Sequence, residues 1–125
     1  MWKDDGYLLE IVDACVKISR YLDRVDQDAF EANEMLHDAV MLQLVVIGEA
    51  ANKLSNEFRD AHPEIPWAKI RATRNIVAHA YPMVDLDNIW SAVTKGLPAM
   101  LEVLQPLVPP DISPEDEQSK APRGS

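Results

Sequence analysis

The sequence holds a single cysteine, Cys15, which excludes an intramolecular disulfide and fits a reducing compartment. Its apolar neighbours in the first predicted helix read as the setting of a buried structural thiol, not a reactive one. No apolar run approaches the ~20 residues needed to span a bilayer. No basic start followed by an apolar stretch marks a signal peptide. The expected location is therefore the cytoplasm, without membrane attachment. Alternation of apolar and polar residues is nowhere long enough to indicate a sheet, and no internal repeat is present. Basic residues are also scarce, with 12 Lys and Arg against 21 Asp and Glu, a formal net charge of −9. Such a balance argues against general nucleic-acid binding, which depends on neutralising phosphates.

What is present is enough for one modest core. The chain has 125 residues, 47% of them hydrophobic, and one domain is expected at that length. A domain of this size buries only about 60–70% of the surface its unfolded chain exposes, so a partner subunit would add stability. The charge is unevenly placed. Residues 1–50 carry 11 acidic and 4 basic side chains, whereas Trp67–Tyr81 holds Lys69, Arg71 and Arg74 and no acid. An acidic body with a locally basic strip can still hold a phosphate at that strip.

Helical periodicity organises the rest. A first helix is expected to start near Asp4 or Asp5, either of which could cap it, with Leu8, Ile11, Cys15, Ile18 and Leu22 on one face. Asp26–Asp28 breaks the pattern, and a short helix around Ala29–Met35 follows. From Asp38 the stripe Val40, Leu44, Ile47, Ala51, Leu54 and Phe58 predicts one long helix that closes at His62-Pro63-Glu64-Ile65-Pro66. Gly48 inside it costs about 1 kcal/mol relative to Ala, a cost that close approach of another helix would explain. Pro66 suits the first turn of a further helix to about His79, burying Trp67, Ile70 and Val77. Asp87 is expected to cap a last helix that buries Ile89, Trp90, Val93, Leu97, Met100, Leu101 and Leu104 and is kinked by Pro98. The expected fold is an all-α, antiparallel up-and-down bundle of about five helices over residues 1–108. Residues 109–125, rich in Pro, Asp, Glu and Ser, read as a disordered tail. Its closing Ala-Pro-Arg-Gly-Ser reads as a cloning remnant without functional weight.

The residues with chemistry cluster on the fourth helix. Arg71, Asn75 and His79 are spaced four apart and line one face. Arg74 lies five positions before His79, about 140° away around a straight helix. Both can serve one pocket only if the helix bends or ends there, or if a second subunit closes the site. These residue types suit phosphodiester cleavage without a metal. Histidine moves a proton near neutral pH, and a guanidinium stabilises charge developing on phosphate oxygens. RNA supplies its own nucleophile, the 2′-hydroxyl. On spacing alone, however, an Arg and a His on an amphipathic helix more often describe a solvated face.

The sequence Arg74-Asn75-Ile76-Val77-Ala78-His79-Ala80-Tyr81 resembles the R-x-x-x-x-H-x-Y signature of HepT-like HEPN proteins. Val46-Ile47-Gly48-Glu49-Ala50-Ala51 resembles the central helix of that family, Pro63–Trp67 its connector, and Ile89-Trp90 with Leu97-Pro98 its last helix. The likeness runs in order over roughly residues 5–105; the acidic tail departs from it. The resemblance implies a homodimer with its two Arg–His motifs at a shared cleft. It further implies a metal-independent endoribonuclease toxin that needs no cofactor and is neutralised by a nucleotidyltransferase-like antitoxin. Arg74 and His79 would then be the catalytic pair. Asn75, Arg71 and Glu49 would support them or hold RNA phosphate, and Tyr81 would be the tyrosine that the partner adenylylates. Glu49 could equally form an ion pair with an arginine.

Two other readings compete. A HEPN-like dimer could keep the motif yet serve only as a non-catalytic scaffold for a nucleotidyltransferase. Glu34-Met35-Leu36-His37 has the Glu-x-x-His spacing of di-iron bundles, but those sites need the motif twice and only one copy exists. His37 is thus expected to be an exposed helix-end residue, and His62 an exposed loop residue. Trp67 and Trp90 read as core or interface residues, not as stacking platforms for bases. The acidic side chains of the first helix read as a solvated outer face.

Overall fold

The computed structural model describes residues 2–72 and 85–109, and among them every regular element is helical. Helix α1 spans Trp2–Tyr21, α2 Gln27–Ala32, α3 Glu34–Lys53 and α4 Asn56–Ala61. Residues 67–72 form the start of α5. Helix α6, Leu86–Ser91, continues through a π-helical stretch, Ala92–Gly96, into α7, Leu97–Leu104, and a closing 3-10 turn, Gln105–Leu107.

The stripes read from the sequence are the faces that pack. Leu8, Ile11, Cys15 and Ile18 of α1 are buried against Val40, Leu44, Ile47 and Ala51 of α3. The two helices run antiparallel, because Asp4 at the start of α1 reaches Ser55 just beyond the end of α3. Asp87 at the start of α6 reaches Gln27, shortly after the end of α1. Helices α6 and α7 therefore begin where α1 ends and run back along it, burying Ile89, Val93, Leu97, Met100 and Leu104. The short α2 plugs this end of the bundle with Phe30, which is wholly buried and stacks on Trp90 at 5.4 Å. Among the described residues no helix is long and apolar enough to cross a membrane.

Several local expectations are corrected. Asp4 does not cap α1, which already begins at Trp2. Its carboxylate instead accepts from the Ser55 backbone N–H at 2.9 Å and the Ser55 hydroxyl at 2.7 Å. Burial would raise its pKa, but these bonds from Ser55 and the nearby Arg59 hold it below the usual carboxylate value. The long third helix is two. Helix α3 starts at Glu34, ends at Lys53, and gives way to α4, whose N-cap is Ser55, its hydroxyl accepting from Phe58 N–H at 3.0 Å. Phe58 thus belongs to α4. The short helix placed around Ala29–Met35 runs from Gln27 to Ala32, capped by Asp26.

The cap of α6 is Asp85, not Asp87. Asp85 accepts from Asp87 N–H and Asn88 N–H, leaving the Asp87 side chain to accept from Gln27 Nε2 at 2.6 Å. The irregularity expected at Pro98 lies just before it, where Leu97 N–H bonds five residues back to Ala92 C=O. A proline at position 98 cannot donate to the Thr94 carbonyl, and the wider π turn takes up the break in the ladder. His37 is half-buried, its Nε2 within 2.7 Å of Phe30 C=O and its ring 5.0 Å from that of Phe30. It staples α2 to α3 and is not an exposed end residue. His62 is also partly covered, stacked 4.7 Å from Phe58. Cys15, 4% exposed, is the buried thiol expected, and burial pushes its pKa up to about 12.

Candidate functional site

The described part of the site begins at the connector. Pro63 and Pro66 bracket a turn in which Ile65 N–H bonds to His62 C=O and Trp67 N–H bonds to Ile65 C=O. Ile70 N–H then bonds to Pro66 C=O at 3.1 Å, which closes the first turn of α5 around a residue that needs no N–H of its own. Trp67 anchors this turn. Its ring is buried edge-on to Phe58 at 6.2 Å, and its indole N–H donates to His62 C=O at 3.0 Å. A base-stacking role is closed to a tryptophan held this way.

One turn further on, Ile70 packs half-buried against the core, and the flanking Lys69 and Arg71 lie at the surface. The two described members of the basic strip are thus exposed. Arg71 is also tied: its Nε donates to Asn52 Oδ1 of α3 at 3.2 Å. Asn52 stands three residues after Glu49, so both belong to one outward face of α3. The structure therefore brings Arg71 to the same side of the bundle as the half-buried Glu49. Arg74, Asn75, His79 and Tyr81 lie outside the described residues, as does Val77.

The platform beneath Arg71 is built by a residue that the sequence reading did not single out. Arg59 of α4 turns back onto the end of α3. There its Nη1 donates to Ala51 C=O at 2.8 Å and Leu54 C=O at 2.7 Å, and reaches Asn52 C=O at 3.4 Å. Its Nη2 holds the side-chain oxygen of Asn56. These carbonyls have no partner within α3, because a helix leaves its last four unsatisfied. A guanidinium there also meets the negative end of the helix dipole. Asp4 and Ser55 fasten the same junction from α1.

On the other side of α5 lies a mainly apolar cavity of about 490 Å³ between Ile47, Ile70, Ile89 and Met100, with Lys69 and Lys95 among its walls. Arg71 does not line it. The cavity and the Arg71 face are thus separate features of the bundle.

Residues 11–107 match the protein family described as ribonuclease HepT-like. The chain is 32% identical over 94 residues to a protein of Thermococcus cleftensis named "Probable ribonuclease HepT", covering 75% of this chain and 86% of that one. A protein of Methanocaldococcus jannaschii, named as a candidate RNase, is 30% identical over 93 residues, covering 74% of this chain and 85% of the relative. A third, from Caldanaerobacter subterraneus and named in the same way, is 30% identical over 94 residues, covering 75% and 84%. No solved structure gives a significant match.

Proposed function

We propose that this chain, which belongs to the HepT-like ribonuclease family, is a metal-independent endoribonuclease and the toxin of a toxin–antitoxin pair. The observation that carries the reading is the extent of the family match. It runs from residue 11 to residue 107 and so spans the whole Arg74–Tyr81 motif together with the helices on either side. The names of the relatives point to RNA as the substrate.

The chemistry follows from the residues. His79 takes the proton from the 2′-hydroxyl of the nucleotide before the scissile bond. The 2′-oxygen attacks the adjacent phosphorus, the bond to the 5′-oxygen breaks, and that oxygen takes a proton from water, so that a 2′,3′-cyclic phosphate and a 5′-hydroxyl result. Arg74 stabilises the charge that builds on the non-bridging oxygens. Asn75 orients His79 or donates to the phosphate, and Glu49 and Arg71 flank the site. Nothing in this sequence of steps calls for a metal or a cofactor.

A homodimer would complete the site, since a spacing of five residues, as between Arg74 and His79 in the sequence, corresponds to about 140° around a straight helix. The outward face of α3 supports a second copy. Met35 is 82% exposed and Leu42, seven residues on, 60% exposed, and Glu49 follows after another seven. Tyr81 is the position that a nucleotidyltransferase-like antitoxin would adenylylate. Its hydroxyl would displace pyrophosphate from ATP and place a negative phosphate beside the site that holds RNA.

The test is cleavage of a short RNA in EDTA, set against the same RNA carrying one 2′-deoxynucleotide before the cleaved bond. Loss of cutting at that bond alone supports internal attack. Cutting that survives the deoxy substitution, or that EDTA abolishes, would overturn the mechanism.

A further inference from the structure

Resting on the ribonuclease reading, we infer that Asn52 is a positioning residue for the start of α5, which leads in sequence to Arg74 and His79, and acts through Arg71. Arg71 is thereby a clamp between α5 and α3 and not a phosphate ligand.

The first turns of α5 are attached at Trp67, at the half-buried Ile70 and at Arg71. Trp67 fixes its start through the buried ring and the bond to His62 C=O. The Arg71–Asn52 hydrogen bond, one turn later, is a polar tie from the exposed face of α5 to α3. The acceptor is itself immobilised. Asn52 sits in the last turn of α3, where Arg59 bonds the carbonyls on both sides of it and where Ser55, three residues on, is bound by Asp4. An exposed asparagine on a frayed helix end would hold nothing; here its backbone is tied to two other helices.

The geometry of Arg71 favours the clamp. Its Nε, the donor nearest the backbone, is spent on Asn52, which turns the guanidinium back toward α3. The first residue of the candidate catalytic pair follows three positions later and His79 eight positions later. A change in the direction of residues 67–72 therefore reaches the pair within eight residues of chain. Misplacement by about 1 Å can cost a hundredfold in rate. The population of correctly aimed molecules is therefore what Asn52 controls.

The experiment compares wild type, Asn52→Ala, Asn52→Asp, Arg71→Ala and the double Asn52→Ala/Arg71→Ala variant in RNA cleavage. Amide hydrogen exchange over residues 67–72 is measured alongside. Asn52→Ala is expected to lower kcat about tenfold, the weight of one charge-assisted hydrogen bond, with KM within twofold. Asn52→Asp keeps the acceptor and should restore kcat to within about twofold. Arg71→Ala should match Asn52→Ala, and the double variant should be no worse than either. Exchange in 67–72 should quicken about tenfold in Asn52→Ala.

Unchanged kcat and unchanged exchange in Asn52→Ala would overturn the inference. So would an Arg71→Ala variant that raises KM and adds to the Asn52 effect, because that marks a direct phosphate contact. If wild type cleaves no RNA, the ribonuclease reading fails; the exchange measurement still decides whether Asn52 holds α5.

Discussion

Replacing Arg59 by alanine removes the guanidinium that closes the end of α3, and the cost can be worked from its contacts. Two strong bonds are lost, to Ala51 C=O at 2.8 Å and Leu54 C=O at 2.7 Å, together with a weaker one to Asn52 C=O at 3.4 Å and a solvent-exposed one to the Asn56 side chain that water replaces at little cost. The first two lie in partly buried surroundings, so water replaces the donor only in part. Each bond to a charged donor contributes about 1–1.5 kcal/mol under such conditions. The total expected loss is about 2–3 kcal/mol. For a domain of this size that corresponds to a Tm lowered by about 10 °C. Arg59→Lys keeps a charge at the helix end but only a point donor, and should recover less than half of the loss. Thermal unfolding followed by circular dichroism, at one fixed protein concentration so that association does not shift the midpoint, measures both variants. A drop below 3 °C in Arg59→Ala, or full recovery by lysine, would refute the view that this forked contact holds the junction.

Cys15 has its pKa raised to about 12 by burial, against 9.0 for a free thiol. The folded chain thus keeps a proton that the unfolded chain releases, and stability should fall between pH about 9 and 12 by up to about 1.4 kcal/mol per pH unit. Urea unfolding across that range should show a slope that Cys15→Ala removes; an unchanged slope would contradict the assignment. Leu42→Asp, on the 60% exposed side chain of α3, should shift sedimentation at micromolar concentration from dimer toward monomer. A wild-type protein that sediments as a monomer would remove the shared-cleft model. Incubation with the cognate nucleotidyltransferase and ATP should raise the mass by one or more AMP units, and Tyr81→Phe should abolish the gain. Labelling that persists in Tyr81→Phe would place the modification elsewhere.

The bundle was legible because its helices bury single stripes. Leu8–Ile11–Cys15–Ile18 and Ile89–Val93–Leu97–Met100–Leu104 can be read as core faces without any knowledge of partners. Boundaries were less so, for a common physical reason. Asp4 and Asp87 satisfy the local rule for a helix cap, but their carboxylates are taken by Ser55 and Gln27, 51 and 60 residues distant. Phe58 continues the spacing of the α3 stripe across a break that periodicity does not register. The signal there was Ser55, a good N-cap residue in the middle of an apparent helix. At the site, Arg71 and Glu49 could be named from sequence because they belong to or flank a motif. Asn52 was within reach, lying three residues past Glu49 on the same face. Arg59 was not, since its partners are backbone carbonyls, which leave no mark on the sequence.

Whether His79 makes this acidic helical bundle a ribonuclease is decided by RNA cleavage with wild type beside His79→Ala in EDTA, using several RNA substrates and protein shown by mass to be unmodified at Tyr81. Cleavage by wild type, with loss of at least a hundredfold in a variant that unfolds at the same temperature, is the predicted result. Equal cleavage by both proteins would place the activity elsewhere. Absence of cleavage in both would contradict the account and favour the non-catalytic scaffold reading.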